Sequence, residues 1–309
     1  MENLLNIILI SGKTGINIAL YILLPVTVVM MGFMKLLEAK GVLGFTARIL
    51  SPLLKVTGIP GIGVFAALQV MLVGAAGPVA TLAIMDSGGM DKRRIAAVFA
   101  MVLTMSQANV TFPMATAGLN LPVLYTTSII GGIIAASLTY YIFARNLESE
   151  SVSEDLNINT NREEKALNIV VSGGMEAINI VFKSIPMLIL AICFVNFLKQ
   201  VQAIHFLEGM LSPVFGLIGI SGISVLPVLT KFLAGGSAMM GITFDMLKDG
   251  IISVQEFNRI AGFIVNPFDL VGLALLSTAG QRVASVAKPA MMGAFIGITV
   301  RGVIHLLIF

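Results

Sequence analysis

Two charge-free, largely apolar runs, residues 16–33 and 123–143, set the terms on which this chain can fold. About 20 such residues cross the hydrocarbon core of a bilayer, and a water-soluble domain does not sustain them. Composition agrees: of 309 residues, 57% are hydrophobic and only 11% charged, against about a quarter charged in soluble domains. The expected solvent is a bilayer and the expected class an all-α polytopic membrane protein. No segment shows strand alternation. The first ten residues are apolar, but lack both a basic stretch ahead and a small-residue cleavage site, so no removable signal peptide is expected. The lone Cys193 excludes an intrachain disulfide and reads as a packing residue. A formal charge of +3 fits basic cytoplasmic loops, and no basic-aromatic patch points to nucleic acid.

The chain also repeats itself. Ser11-Gly12 and Pro25 return as Ser172-Gly173 and Pro186, a shift of 186 − 25 = 161. Ser51-Pro52 returns as Ser212-Pro213, and Gly74-Ala75-Ala76-Gly77 as Gly235-Gly236-Ser237-Ala238 at the same shift. Thr116-Ala117-Gly118 returns as Thr278-Ala279-Gly280 at 162. A collinear series of this kind defines two units, 1–145 and 166–309. The linker 146–165 between them is acidic and poor in apolar residues, which reads as solvated chain.

Each unit has the same parts. A long helix (14–37; 175–199) precedes an amphipathic interfacial stretch (42–56; 203–217). An apolar segment broken by small residues follows (60–86; 222–247). Then come a helix interrupted by polar residues and proline (92–116; 255–278) and a plain last helix (121–144; 285–308). If the broken segment is a re-entrant hairpin, the loops flanking it share one side of the membrane, and each unit crosses three times. In the first unit those loops carry Lys35, Lys40, Arg48, Lys55, Lys92, Arg93 and Arg94 against three acids; in the second they carry Lys199, Lys248 and Arg259 against four. The positive-inside rule puts the first set and the linker in the cytoplasm and the second set outside. The copies are therefore expected to be inverted. Fully crossing hairpins would make them parallel and leave the charge difference without a cause.

Inverted repeats with discontinuous helices are the common plan of secondary transporters. A broken helix leaves backbone N–H and C=O groups unpaired, which the bilayer tolerates only where they face protein, water or a solute. Here the breaks are Gly74 to Pro78 and Gly235-Gly236-Ser237. Pro78 suits the first turn of a new half-helix, whose positive end favours an anionic or polar group. Small residues also serve close helix packing. The interrupted helices add Ser106, Gln107 and Asn109 in one copy and Asn266 and Asp269 in the other, with Gln107 and Asp269 at equivalent positions. Asp269 lies among apolar residues and needs a partner. Lys231 is the best candidate, and its neighbour Thr230 matches Gln69. The pair reads as a structural tie, a proton or sodium coupling site, or part of the substrate site. The candidate substrate-binding set is thus Gln69, Gly74, Gly77, Pro78, Ser106, Gln107, Asn109, Thr230, Lys231, Gly235, Gly236, Ser237, Asn266 and Asp269, with no catalytic residue, no metal ligand and no cofactor. The methionines, scattered without ligand spacing, read as packing residues. His205 and His305 lie near predicted helix ends, and Lys288 and Arg301 are expected to reach the surface by their long arms. There is no phosphate loop, nucleophile elbow or paired catalytic carboxylate, so no enzymatic activity is expected.

On the Ser11-Gly12 and Pro25 pattern, the paired Ser-Pro stretches, the hairpin glycines and the Asn266-Pro267-Phe268-Asp269 element, the chain resembles the nucleoside-recognition, or Gate, family of bacterial membrane proteins. The two halves resemble spore maturation proteins A and B joined in one chain. More distant resemblances are to concentrative nucleoside transporters and the membrane part of ferrous-iron transporter B. The resemblance implies a transport-type core with paired re-entrant hairpins. The leading expectation is a secondary transporter or exporter of a small polar solute, anionic or nucleoside-like, in the cell (inner or plasma) membrane, with the bilayer and the solute as partners and a homo-oligomer allowed. The rival is a membrane scaffold or assembly factor; third is an ion or metal permease.

The loop charges generate a direct test. With Cys193 replaced by serine, a cysteine at position 248 should react with an impermeant maleimide in intact cells, and one at position 92 only after permeabilisation. Labelling of both from the same side would refute inversion.

Overall fold

A computed structural model describes residues 2–74, 76–147, 165–201, 209–210, 213, 215–217 and 219–309. Most of the linker, and much of the second interfacial stretch including His205, lie outside the described residues. The described chain is helical, with no strand among the described residues. It is a polytopic membrane protein.

The first rod is longer than expected. Helices α1 (Glu2–Asn17) and α2 (Leu24–Ala39) join through a π-helical turn, Ile18–Leu23. The polar residues at 11–14 do not break the helix, and the wide turn sits just before Pro25, which has no N–H to give. Then come α3 (Val42–Leu54), α4 (Gly61–Leu72), α5 (Gly77–Ser87), α6 (Lys92–Thr104), α7 (Ala108–Ala115) and α8 (Leu121–Leu138). The second unit supplies α9 (Ala166–Gln200), α10 (Val225–Lys248), α11 (Val254–Ile264), α12 (Leu270–Ser277), α13 (Gln281–Ser285) and α14 (Ala287–Ile308). Among the described residues, Leu4–Ala39, Lys92–Ala115, Leu121–Phe143 and Ala287–Ile308 are long and apolar enough to cross a bilayer.

The first broken segment is a true hairpin. Its arms of 12 and 11 residues are each about 18 Å long, too short to span about 30 Å of hydrocarbon. Thr81 Oγ1 of the returning arm donates to Gln69 Oε1 of the outgoing arm (2.6 Å). In the second unit the chain changes direction inside α10, where Gly235 has φ 85° and ψ 177°. Gly74 sits at the matching place with φ 132°. These are left-handed backbone positions that a side chain would strain.

The long helices pack as antiparallel pairs. Along α1–α2 and α9, Asn196 Nδ2 donates to Ser11 Oγ (3.0 Å), and a Cβ on Gly15 would lie 2.9 Å from Ile189 and one on Gly32 3.0 Å from the Val170 carbonyl. As one residue number rises the other falls. The same holds for α8 and α14: a Cβ on Gly131 would lie 2.8 Å from the Gly297 carbonyl, and one on Gly293 2.7 Å from the Ala135 carbonyl. Because 293 − 131 = 162 and 297 − 135 = 162, this is one contact made twice with the roles exchanged. Such reciprocity is the mark of a two-fold axis. Only glycine lets the two backbones approach so closely.

The interrupted helices are buried between these pairs. Residues 95–105 are all buried, as are 260–262 and 264–267. The starts of α6 and α11 are capped alike, with the Asp91 side chain accepting from Arg93 N (2.9 Å) and the Ser253 hydroxyl from Glu256 N (3.0 Å).

Replacing Gly293 by alanine should force the crossing apart and cost about 1–3 kcal/mol. The melting temperature in detergent should fall by several degrees, while Gly44→Ala, with nothing within 4 Å of its added Cβ, should leave it unchanged. Equal melting of both variants would contradict the packing account.

Candidate functional site

A cavity of about 480 Å³ lies where the four breaks meet. Its lining includes the first hairpin tip, with Val73, Gly74, Ala76 and Gly77, and the second break, with Ala234, Gly235, Gly236 and Ser237. The interrupted helices contribute Gln107 and Asn109 from one copy and Asp269, Val271, Gly272 and Leu275 from the other. Met31 of α2 and Glu176 of α9 close the remaining side. Eight residues of the candidate set thus come together: Gly74, Gly77, Gln107, Asn109, Gly235, Gly236, Ser237 and Asp269.

Local sequence explains the arrangement. The first interrupted helix stops at Thr104 and restarts at Ala108, with Met105 and Gln107 extended. The break lies upstream of Pro113, which is carried inside α7. In the second copy, Pro267 lies within the break 265–269. Asp269 is extended there (φ −151°, ψ 174°), and its Oδ1 caps the restarting helix by accepting from Gly272 N (2.7 Å). Its other oxygen, Oδ2, is ion-paired with Lys231 Nζ. The two side chains are 4% and 0% exposed, so Lys231 stands behind the wall and Asp269 on it. The breaks also cross-link: Gln107 Nε2 donates to the Asn266 carbonyl (3.2 Å), and a Cβ on Gly236 would fall 2.5 Å from that same nitrogen.

The other six candidates do not line the cavity. Gln69 Nε2 donates to Glu38 Oε1 (3.0 Å) while its Oε1 accepts from Thr81, so one end of the amide ties the hairpin to α2 and the other ties its two arms together. Ser106 is held by Ser128, hydroxyl to hydroxyl at 2.6 Å. Thr230 donates to its own helix at Leu226 O (2.8 Å). Asn266 bonds the backbone at Phe263 and Phe268, Pro78 is buried in the first turn of α5, and Lys231 serves Asp269.

One lining residue stands outside the candidate set, and one residue lies elsewhere than the sequence suggests. Glu176, absent from the candidate set, lines the cavity and is ion-paired with Lys35 across α2 and α9. The available signal was a carboxylate inside a 35-residue helix of apolar character. Arg301, expected to reach the surface, is instead fully buried, because its face of α14 packs on α6, α8 and α11 together. His305, one turn on, is buried too and bonds the Asn258 carbonyl (2.7 Å) and the Thr127 hydroxyl (3.0 Å). Lys288 is exposed, as expected. Cys193 is partly buried and free. Among the described residues no group of three or more His, Cys, Asp or Glu side chains is arranged to hold a metal ion.

Removing one member of the buried pair should cost more than removing both. Lys231→Met should lower the melting temperature further than Lys231→Met with Asp269→Asn. The reverse order would mean that the pair is not held in a water-poor site.

The fold is shared with solved transporters. A variant of the concentrative nucleoside transporter CNTnw in an outward-facing state superposes with TM-score 0.73 at 18% identity, covering 94% of this chain and 75% of that one. CNTnw in an inward-facing, substrate-bound state gives 0.71 at 18%, covering 93% and 75%. In sequence, the uncharacterized protein MJ0880 of Methanocaldococcus jannaschii is 24% identical over 213 residues, 67% of each chain. No protein-family model matches, so the nucleoside-recognition resemblance rests on the motifs quoted above.

Proposed function

We propose that this protein is a secondary-type transporter of the cell membrane, and that it moves a small polar, nucleoside-like solute through the cavity between its hairpin tips and interrupted helices. The observation that carries the proposal is the cavity itself. About 480 Å³ is within the range of small-molecule sites, and its walls are the four places where the backbone is broken. Such breaks are where transporters of this plan bind their solutes. On this reading the units 1–145 and 166–309 are inverted copies joined by a cytoplasmic linker, and the reciprocal contacts of α8 and α14 support the inversion.

Charge narrows the solute. The described lining residues include two carboxylates, Glu176 and Asp269, and no lysine or arginine. Their basic partners stand outside the lining. An anion would meet the carboxylates first, so a neutral solute offering hydroxyl or amide donors fits better than the anionic alternative. Ser237, Gln107 and Asn109 supply the remaining polarity. Asp269 is also the candidate for coupling to a proton or sodium ion, since its pairing with Lys231 is a charge balance that a bound cation would alter.

The scaffold reading draws on a different observation: Gln69, Ser106, Thr230 and Asn266 are all satisfied by the protein. Flux separates the two. In proteoliposomes the wild type should accumulate labelled nucleosides, and Asp269→Asn should reduce uptake roughly tenfold or more, the scale of one lost charge-assisted hydrogen bond. Normal uptake by the variant would remove Asp269 from the mechanism; no flux of any nucleoside or related polar solute by the wild type would favour the scaffold.

A further inference from the structure

The last helix carries a guanidinium with no exposed surface. Arg301 donates through Nη1 to the Thr104 carbonyl and through Nη2 to the Val265 carbonyl (3.2 Å). Thr104 is the final residue of α6, and Val265 follows the final residue of α11. These are the C-terminal ends of the first halves of both interrupted helices. Carbonyls at such ends have lost their N–H partners and hold the negative pole of the helix dipole. One planar cation, with two donor arms, therefore closes both breaks at once.

Among the described residues no carboxylate pairs with Arg301, and its Nε has no partner. Its arm passes over Gly131, where a Cβ would overlap it. The matching position in the first copy (301 − 162 = 139) is Thr139, which only bonds its own helix at Ala135 O (2.7 Å). A single cation thus serves two equivalent ends, away from the cavity walls.

In transporters with discontinuous helices, exposed carbonyl ends of this kind coordinate the coupling cation. We propose that Arg301 is a resident cation: it occupies the place between the two carbonyl ends that an alkali ion would otherwise take, and the breaks hold their geometry without a bound metal ion. Arg301 is a positioning residue, acting through Thr104 and Val265 on the polar residues that follow each of them. The inference holds whether or not the chain transports.

The test is thermal melting of the purified full-length protein in detergent. In sodium, potassium or choline chloride at equal ionic strength, the Lys231→Met, Asp269→Asn double variant, which lacks the other candidate cation site, should melt within about 1 °C, because an ion bound only by the folded state between the two carbonyl ends would raise the transition. Arg301→Ala should melt roughly 5–10 °C below the wild type, from two buried carbonyls left bare. Millimolar guanidinium should restore at least half of that loss, and methylammonium should not. Arg301→Lys, with a point charge in place of the fork, should fall between the two, and it carries the comparison if the alanine variant does not fold. A merely space-filling arm would show no such chemical rescue. A double-variant transition that climbs with sodium but not choline, an alanine variant as stable as wild type, or the absence of guanidinium rescue would each overturn the proposal.

Discussion

A chain dissolved in hydrocarbon has to satisfy every backbone N–H and C=O from within itself, and this protein interrupts its helices in four places near one another. The consequence runs through the whole interior. The first hairpin tip turns on Gly74, whose N–H bonds back to Gln69 O (2.9 Å). Ser106 N finds Ser128 Oγ (3.0 Å), the Asn266 carbonyl finds Gln107, and Gly272 N finds Asp269. The carbonyls of Thr104 and Val265 find Arg301. Ser128, Gln107, Asp269 and Arg301 answer a broken backbone first, and whatever they offer a solute comes from what is left over.

That ordering explains what could be read from sequence and what could not. The breaks were legible because glycine, proline and polar residues interrupt apolar helices at matching places in two copies. The need of Asp269 for a base was legible because a lone carboxylate among apolar residues is costly, and Lys231 was the base on the adjoining segment. Partners far along the chain were not. Glu176 meets Lys35 across 141 residues, and no local pattern says that α2 and α9 run side by side. Gln69 looked like a group for a solute, yet Glu38 and Thr81 use both ends of its amide. Arg301 looked like a surface anchor because it stands near the end of an apolar helix; which face of that helix meets three others is set by tertiary packing alone. Sequence states which groups must be satisfied. It does not state by whom.

The charges are unevenly divided between copies that otherwise match. At the position of Asp269 the first copy has Gln107 (269 − 162 = 107), and at the position of Lys231 it has Val70 (231 − 161 = 70). Either charge alone in so dry a place would be strongly unfavourable, whereas the pair is tolerable. The acid and the base therefore make sense only as a joint feature of one copy. They leave the cavity with a charged side and an amide side.

The reciprocal glycine contacts between α8 and α14 carry a consequence for biosynthesis. Helix α8 is made before α14, and the close-packed stripe at Gly131 and Ala135 has as its mate the stretch at Gly293 and Gly297, which follows it in the chain. Until the ribosome has released those residues, the first half carries an unmatched small-residue face among lipid, and the carbonyl at Thr104 waits for Arg301. The native interior is thus sealed only once α14 is in place, much as a keystone completes an arch.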